Sequence, residues 1–166
     1  MLIKHMTDYK HLHRLDRVFT SHPVYFISTN THQRRSILAC ESAVAALKRE
    51  WSDALERHGW LVGRYVVMPD HVHFFCAESS HSGNKSLSEF IQRWKEWTSK
   101  QLILSLGVSA PVWQKQFFDH VLRQDESYAE KWSYVVENPV RAGLVTEAKA
   151  WPWQGYMHFD SPLGEA

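Results

Sequence analysis

The chain has 166 residues, 44% of them hydrophobic and 13% aromatic, with 19 Lys+Arg against 18 Asp+Glu for a formal net charge of +1. That length fits one compact domain with a core of ordinary size. The balanced charge and the aromatic content exclude a disordered chain, and seven Gly and six Pro are too few for a linker or a fibrous protein.

No apolar stretch approaches the roughly 18 residues of a membrane span, so no membrane association is expected. Met1–Lys10 lacks the charged start and hydrophobic run of a signal peptide, which makes the cytoplasm the expected location. Cys40 and Cys76 sit inside apolar patterns with no paired spacing, which favours two reduced core thiols and leaves a single long-range disulfide as the alternative. With so small a net charge, nucleic-acid binding has to rest on local patches. One is visible: Lys4, His5, Lys10, His11, His13, Arg14 and Arg17 face only Asp8 and Asp16. The expected organisation is a single domain over residues 1–166, with 1–20 as a basic N-terminal extension.

In chain order, Val24–Thr29 is a β-prone run closed by Asn30. Ser36 is a candidate cap for a helix in which Ile37, Cys40, Val44, Leu47, Trp51 and Leu55 recur at helical spacing until Gly59. Trp60–Met68 and His71–Ala77 are β-prone and separated only by Pro69-Asp70, which predicts an antiparallel hairpin. After a loop at Ser79–Lys85, Ser86 and Glu89 form a capping box for a helix whose apolar stripe is Leu87, Phe90, Ile91, Trp94, Trp97 and Leu102, ending at Gly107–Pro111. Trp113–Arg123 is read as a strand, and a third helix is expected from about Asp125 to Asn138, before Pro139. This order implies helices packed on an antiparallel sheet, an α+β fold.

His71 and His73 are two apart on an expected strand, so their rings share a face and can share one metal ion, while Val72, Phe74 and Cys76 point to a core. Such pairs also occur without metal as hydrogen-bonded surface or core residues. On the third helix, about 100° per residue groups Tyr128, Trp132, Val135 and Val136 on one side. Glu130, Lys131, Tyr134, Glu137 and Asn138 fall on the opposite, polar side. Tyr134 and Asn138, at i,i+4, would then lie one turn apart, either as a functional pair or as ordinary solvated residues.

Tyr65–Phe75 (YVVMPDHVHFF) resembles the histidine-hydrophobic-histidine strand of the HUH single-tyrosine transposases. Trp113–Arg123 (WQKQFFDHVLR), followed by Tyr134–Val145 (YVVENPVRAGLV), resembles the REP-associated tyrosine transposase subgroup, and matching features run from about Arg14 to Trp151-Pro152-Trp153. The resemblance implies an HUH endonuclease fold: a ferredoxin-like or RNA-recognition-like antiparallel sheet with helices packed on it. It also implies His71 and His73 as metal ligands, Tyr134 as nucleophile and Asn138 as the polar residue completing the metal site, with Mg²⁺ or Mn²⁺ as the ion. The two imidazoles in isolation would suit Zn²⁺ equally. One departure is Asp70, where the family usually has Asn; it adds negative charge beside the site.

The implied activity is transposition by metal-dependent nicking and rejoining of single-stranded DNA at hairpin elements through a covalent phosphotyrosine. Candidate DNA contacts are Arg14, Arg17, Lys115, Arg123 and Arg141, with Lys95 as a further phosphate contact; Trp94, Trp97, Trp113 and Phe117 are candidate stacking platforms, although the helical stripe they occupy reads most of these tryptophans as core. His120, in the DHVLR run, has a buried, hydrogen-bonded structural role as its simplest reading. The acting species is expected to be a monomer or a homodimer. Two other classes stand beside this reading: a non-catalytic hairpin-binding protein that retains the fold, and a small hydrolase with an unrelated metal site in which Tyr134 has no part.

Overall fold

The computed structural model describes residues 23–80, 82–122 and 128–160. The basic extension, including Arg14 and Arg17, lies outside the described residues, as does Arg123. Five strands form one sheet: β1 (Val24–Asn30), β2 (Trp60–Val67), β3 (His71–Glu78), β4 (Phe118–Val121) and β5 (Gln154–Tyr156), in the spatial order β4-β1-β3-β2-β5 with every neighbour antiparallel. The helices are α1 (Glu41–Ser52), α2 (Ala54–His58), α3 (Leu87–Leu106), α4 (Tyr128–Val136) and the short α5 (Asn138–Arg141). The fold is α+β, as the element order predicted.

The sheet is covered on both faces, so its central strand β3 is buried on both sides. Val72, Phe74 and Cys76 join the larger cluster beneath α1 and α3, where Trp51 stacks on Trp94 at 5.5 Å and also meets Tyr65 and Phe74. Thr98 Oγ1 accepts from Trp113 Nε1 at 3.0 Å, which satisfies one indole N–H in this layer. On the opposite face Phe75 and Ala77 join Phe26, Val66, Tyr128, Val135, Trp151 and Phe159. This second layer is built by α4 and the C-terminal stretch, which Trp151 Nε1 pins by donating to the Val67 carbonyl at 2.9 Å.

Several boundaries differ from the sequence expectations. The first helix starts at Glu41 rather than beside Ser36, because residues 31–40 form an irregular loop tied to the β2–β3 corner by Leu38 N donating to the Pro69 carbonyl at 2.9 Å. A turn at Asp53 then separates α1 from α2, and Gly59 closes α2 in a left-handed conformation (φ 78°), as expected of that stop. The capping box at Ser86 and Glu89 is formed on α3, and Gly107 ends it. Of the described part of the 113–123 segment, residues 113–122, Phe118–Val121 is strand, and Trp113 is drawn down to a bridge with Thr31 instead. β5 had no periodic signal in three residues; it exists because it pairs with the edge of β2. Cys40 and Cys76 are free, and no helix among the described residues is long and apolar enough to cross a membrane.

Gly63 stands at the irregularity between Val62 and Tyr65 in the β2–β3 register, where a Cβ would lie 2.3 Å from the Phe159 ring. Phe159 is fully buried and cannot swing aside. Gly63→Ala is therefore expected to destabilise the protein by about 1–3 kcal/mol, measured as a lowered denaturant midpoint with an unchanged slope.

Candidate active site: a histidine pair and a tyrosine in one cleft

The alternation of β3 sends His71 and His73 to the face covered by α4, in line with Phe75 and Ala77. Their rings stand 4.8 Å apart and nearly perpendicular (79°). His73 lies flat against Phe26 of β1, with ring centroids 5.4 Å apart. Its Nδ1 is buried with no hydrogen-bond partner among the described residues, a costly state for an imidazole nitrogen unless a ligand completes it. Burial, with smaller contributions from His71, Lys131, Arg34 and Arg141, pulls the His73 pKa down to about 3, so the ring is a neutral potential donor.

His71 is oriented from outside the cleft. Its Nδ1 lies 2.7 Å from Asp70 Oδ1, and Asp70 Oδ2 accepts from Arg34 Nε at 2.8 Å. Burial alone would raise the Asp70 pKa, but the bonds from His71 and Arg34 outweigh it and hold the carboxyl below its ordinary value. The extra negative charge expected from Asp70 is thus paired with a guanidinium.

Tyr134 reaches the same place from α4. That helix is anchored by Tyr128, whose ring sits 4.4 Å from Phe75 and whose Oη accepts from Arg64 N at 3.1 Å, and by buried Val135. With one face held down, Tyr134 projects outward and is 64% exposed. Arg141 of α5 covers its ring at 4.2 Å, donates to the Tyr134 carbonyl at 2.7 Å and also donates to Asn138 Oδ1. Asn138 is not the last residue of the tyrosine helix, as expected, but the first of α5; Pro139 is accommodated in the first turn of that helix, where no backbone donor is required.

His71, His73, Tyr134 and Asn138 all line one open cleft of about 460 Å³, together with Phe26, Met68, Lys131 and Arg141. Two cations and no carboxylate are among its described lining residues, so it favours an anion such as a phosphate. Lys131, on the polar side of the helical wheel, holds its Nζ 4.6 Å over the Phe26 ring inside the cleft. Its position three residues before Tyr134 on a helix was the available signal.

The other expected contacts separate from this site. Lys115 is exposed in the loop before β4 and lines a different cleft, between α3 and residues 110–117, which Phe117 also lines. Lys95 is buried and donates to the carbonyls of Gln114, Lys115 and Gln116, so it holds a turn and is not free for a phosphate. Trp94 and Trp113 are core residues, not stacking platforms. Trp97, expected in the apolar stripe, is 43% exposed between Arg57 and Lys100. His120 is half-buried on β4, opposite Phe26 of β1.

The antiparallel sheet thus carries a pair of histidines beneath a helix that bears an exposed tyrosine. The model of the family described as IS200-like transposases matches residues 20–135, and the chain belongs to that family. The chain is 28% identical over 154 residues to the REP-associated tyrosine transposase of Escherichia coli strain K12, covering 89% of this chain and 84% of that protein. Its fold is similar to that of a REP-associated tyrosine transposase solved bound to a REP hairpin, with a TM-score of 0.62 and 23% identity over 80% of this chain and 75% of the other. Asn138 and Arg141 lie beyond the residues that the family model matches.

The donor set suits a divalent cation. Two imidazoles share a face, one with a buried unsatisfied nitrogen and the other aligned by a carboxylate. Among the described residues no group of three His, Cys, Asp or Glu comes together, and the amide of Asn138 lines the same cleft as the two imidazoles.

His58 is the second buried imidazole, brought to about 4 by burial and by the neighbouring Lys85, Arg57 and Arg93. Unfolding restores both histidines to their ordinary value near 6.5, so the unfolded chain binds more protons between that pH and about 4. Stability is expected to fall as pH is lowered through this window, by up to about 1.4 kcal/mol per pH unit for each histidine. In NMR spectra of the metal-free protein, the ring C–H shifts of His58 and His73 should still report neutral imidazoles at pH 5.

Proposed function

We propose that this transposase nicks and rejoins single-stranded DNA beside hairpin elements, with Tyr134 as the nucleophile and His71, His73 and Asn138 as ligands of a divalent cation, Mg²⁺ or Mn²⁺. The observation that carries the reading is the meeting of an exposed phenol and two imidazoles in a single cationic cleft. The hairpin as substrate is supported by the relative that was solved with one.

In this mechanism Tyr134 Oη attacks the phosphorus of a phosphodiester. The phenol gives up its proton to solvent as the bond from Oη to phosphorus forms, the bond to one bridging oxygen breaks, and the departing sugar oxygen takes a proton from solvent to become a hydroxyl. One phosphoester replaces another, so the bond energy is retained and the reverse attack by a sugar hydroxyl rejoins a strand without hydrolysis. A phenol with an ordinary pKa near 10 is a weak nucleophile at neutral pH, and the negative phosphate repels its ionised form. The bound cation would act as a Lewis acid on the phosphate. Lys131 and Arg141 flank the phenol and supply positive charge where a phosphate oxygen would enter. Arg141 engages the Asn138 oxygen in this structure, so a phosphate that attracts the guanidinium would release Asn138 for coordination. The four proposed residues come from one chain, which supports a monomer as the acting unit.

The same Arg141–Asn138 contact favours a second reading, in which the protein binds hairpin DNA without cutting it. Labelled hairpin-bearing single-stranded DNA, incubated with the protein and Mg²⁺ or Mn²⁺ and resolved on a denaturing gel, separates the two. Under the proposal a slow-migrating covalent species forms, and it is abolished by Tyr134→Phe, by His71→Ala and by chelator. Retarded hairpin DNA on a native gel with no nick or adduct under any condition establishes the binding reading instead. Cleavage that survives Tyr134→Phe would indicate an unrelated hydrolytic site.

A further inference from the structure

The three-residue corner between β2 and β3, Met68 to Asp70, is held by more than its own turn. Thr31 N and Oγ1 donate to the Asp70 carbonyl at 2.9 and 3.1 Å, and Met68 N donates to the His71 carbonyl at 2.8 Å. With its backbone fixed, Asp70 bridges two partners, His71 Nδ1 through Oδ1 and Arg34 Nε through Oδ2. Arg34 is itself braced, since its Nη1 donates at 2.7 Å to Asn30 Oδ1, and Asn30 is the β1 residue in register with His71. The loop that delivers Arg34 places Gln33 and Arg34 at φ 54° and 56°. Two successive non-glycine residues in the left-handed region carry a conformational cost that the surrounding contacts must offset.

An ionised carboxylate can only accept hydrogen bonds, so its contact with His71 requires the ring proton on Nδ1 and leaves the imidazole lone pair on Nε2. The same contact restrains rotation of the ring. The guanidinium cancels a negative charge that would otherwise stand beside an incoming phosphodiester.

We propose that Asp70 and Arg34 are positioning residues for His71: Asp70 selects the Nδ1–H tautomer and fixes the ring so that Nε2 is the donor, and Arg34 orients and neutralises Asp70. The inference rests on the reading of His71 as a cation ligand, although the tautomer can be observed without the cation. An amide at position 70 would still accept from His71 Nδ1–H, but it could not form the ion pair with Arg34. The two functions of the carboxylate are therefore separable.

The experiment has two arms. In metal-free protein at pH 8, long-range ¹H–¹⁵N correlation spectra report the ring nitrogens of His71. The Nδ1–H tautomer is expected in the natural sequence and in Asp70→Asn, and a shift toward Nε2–H in Asp70→Ala. An Nε2–H tautomer in the natural sequence overturns the proposal without any variant. In the second arm, covalent adduct formation on hairpin DNA is titrated with Mn²⁺. Asp70→Ala should raise the half-saturating Mn²⁺ concentration by about 10- to 100-fold while the rate at saturating Mn²⁺ changes little, and Asp70→Asn should restore most of that loss. Arg34→Ala should keep the tautomer and raise the DNA concentration needed for half-maximal rate. Unchanged tautomer and Mn²⁺ dependence in Asp70→Ala overturn the positioning role. Adduct formation that survives His71→Ala and chelator overturns the cation-ligand reading and, with it, this proposal, while the NMR arm still reports on the Asp70–His71 contact by itself.

Discussion

Burial of β3 on both faces is the constraint from which the histidine–tyrosine cleft follows. A strand at the centre of a sheet must present apolar side chains to each covering layer, and its side chains alternate with a period of two. Phe74 and Cys76 therefore fill one layer while Phe75 and Ala77 fill the other, and neither set can change sides without inverting the whole strand. His71 and His73 continue the Phe75 row past the edge of its core. They are held on a fixed face by residues that have no chemical role.

The tyrosine is placed by the same logic from the opposite side. Tyr128 and Val135 press α4 onto the Phe75 face, and the helical rotation then leaves Tyr134 exposed at the end of the sheet where the histidines emerge. Two tyrosines on one helix thus take different roles. Burial, only partly offset by the Arg64 backbone bond, pushes the Tyr128 phenol pKa above the useful range, whereas Tyr134 remains open to solvent and to a substrate.

Charge completes the site in a way that the overall composition conceals. A chain with nearly balanced charge still lines this cleft with Lys131 and Arg141 and no described carboxylate, while Asp70, beside His71, is paired with Arg34. The residues that the family model matches include the histidine strand and Tyr134. Asp70, Lys131 and Arg141 show how this particular chain arranges charge around them.

Much of the fold was legible in the sequence because the signals were local. Alternation marked the hairpin, Ser86 and Glu89 marked the start of α3, Gly59 and Gly107 marked helix ends, and the helical wheel separated Tyr128 from Tyr134. The motifs likewise pointed to the histidines and the tyrosine as candidates. Where contacts between distant segments decide the outcome, the sequence was silent or misleading: β5 forms only against β2, Trp113 turns into the core, Lys95 turns inward to hold three carbonyls, and residues 31–40 fold onto the hairpin corner instead of starting a helix. Arg34 was invisible as a neighbour of the histidines for the same reason. Periodicity reports which face of an element is apolar, but the partner that meets a polar side chain across tens of residues is set only when the layers pack.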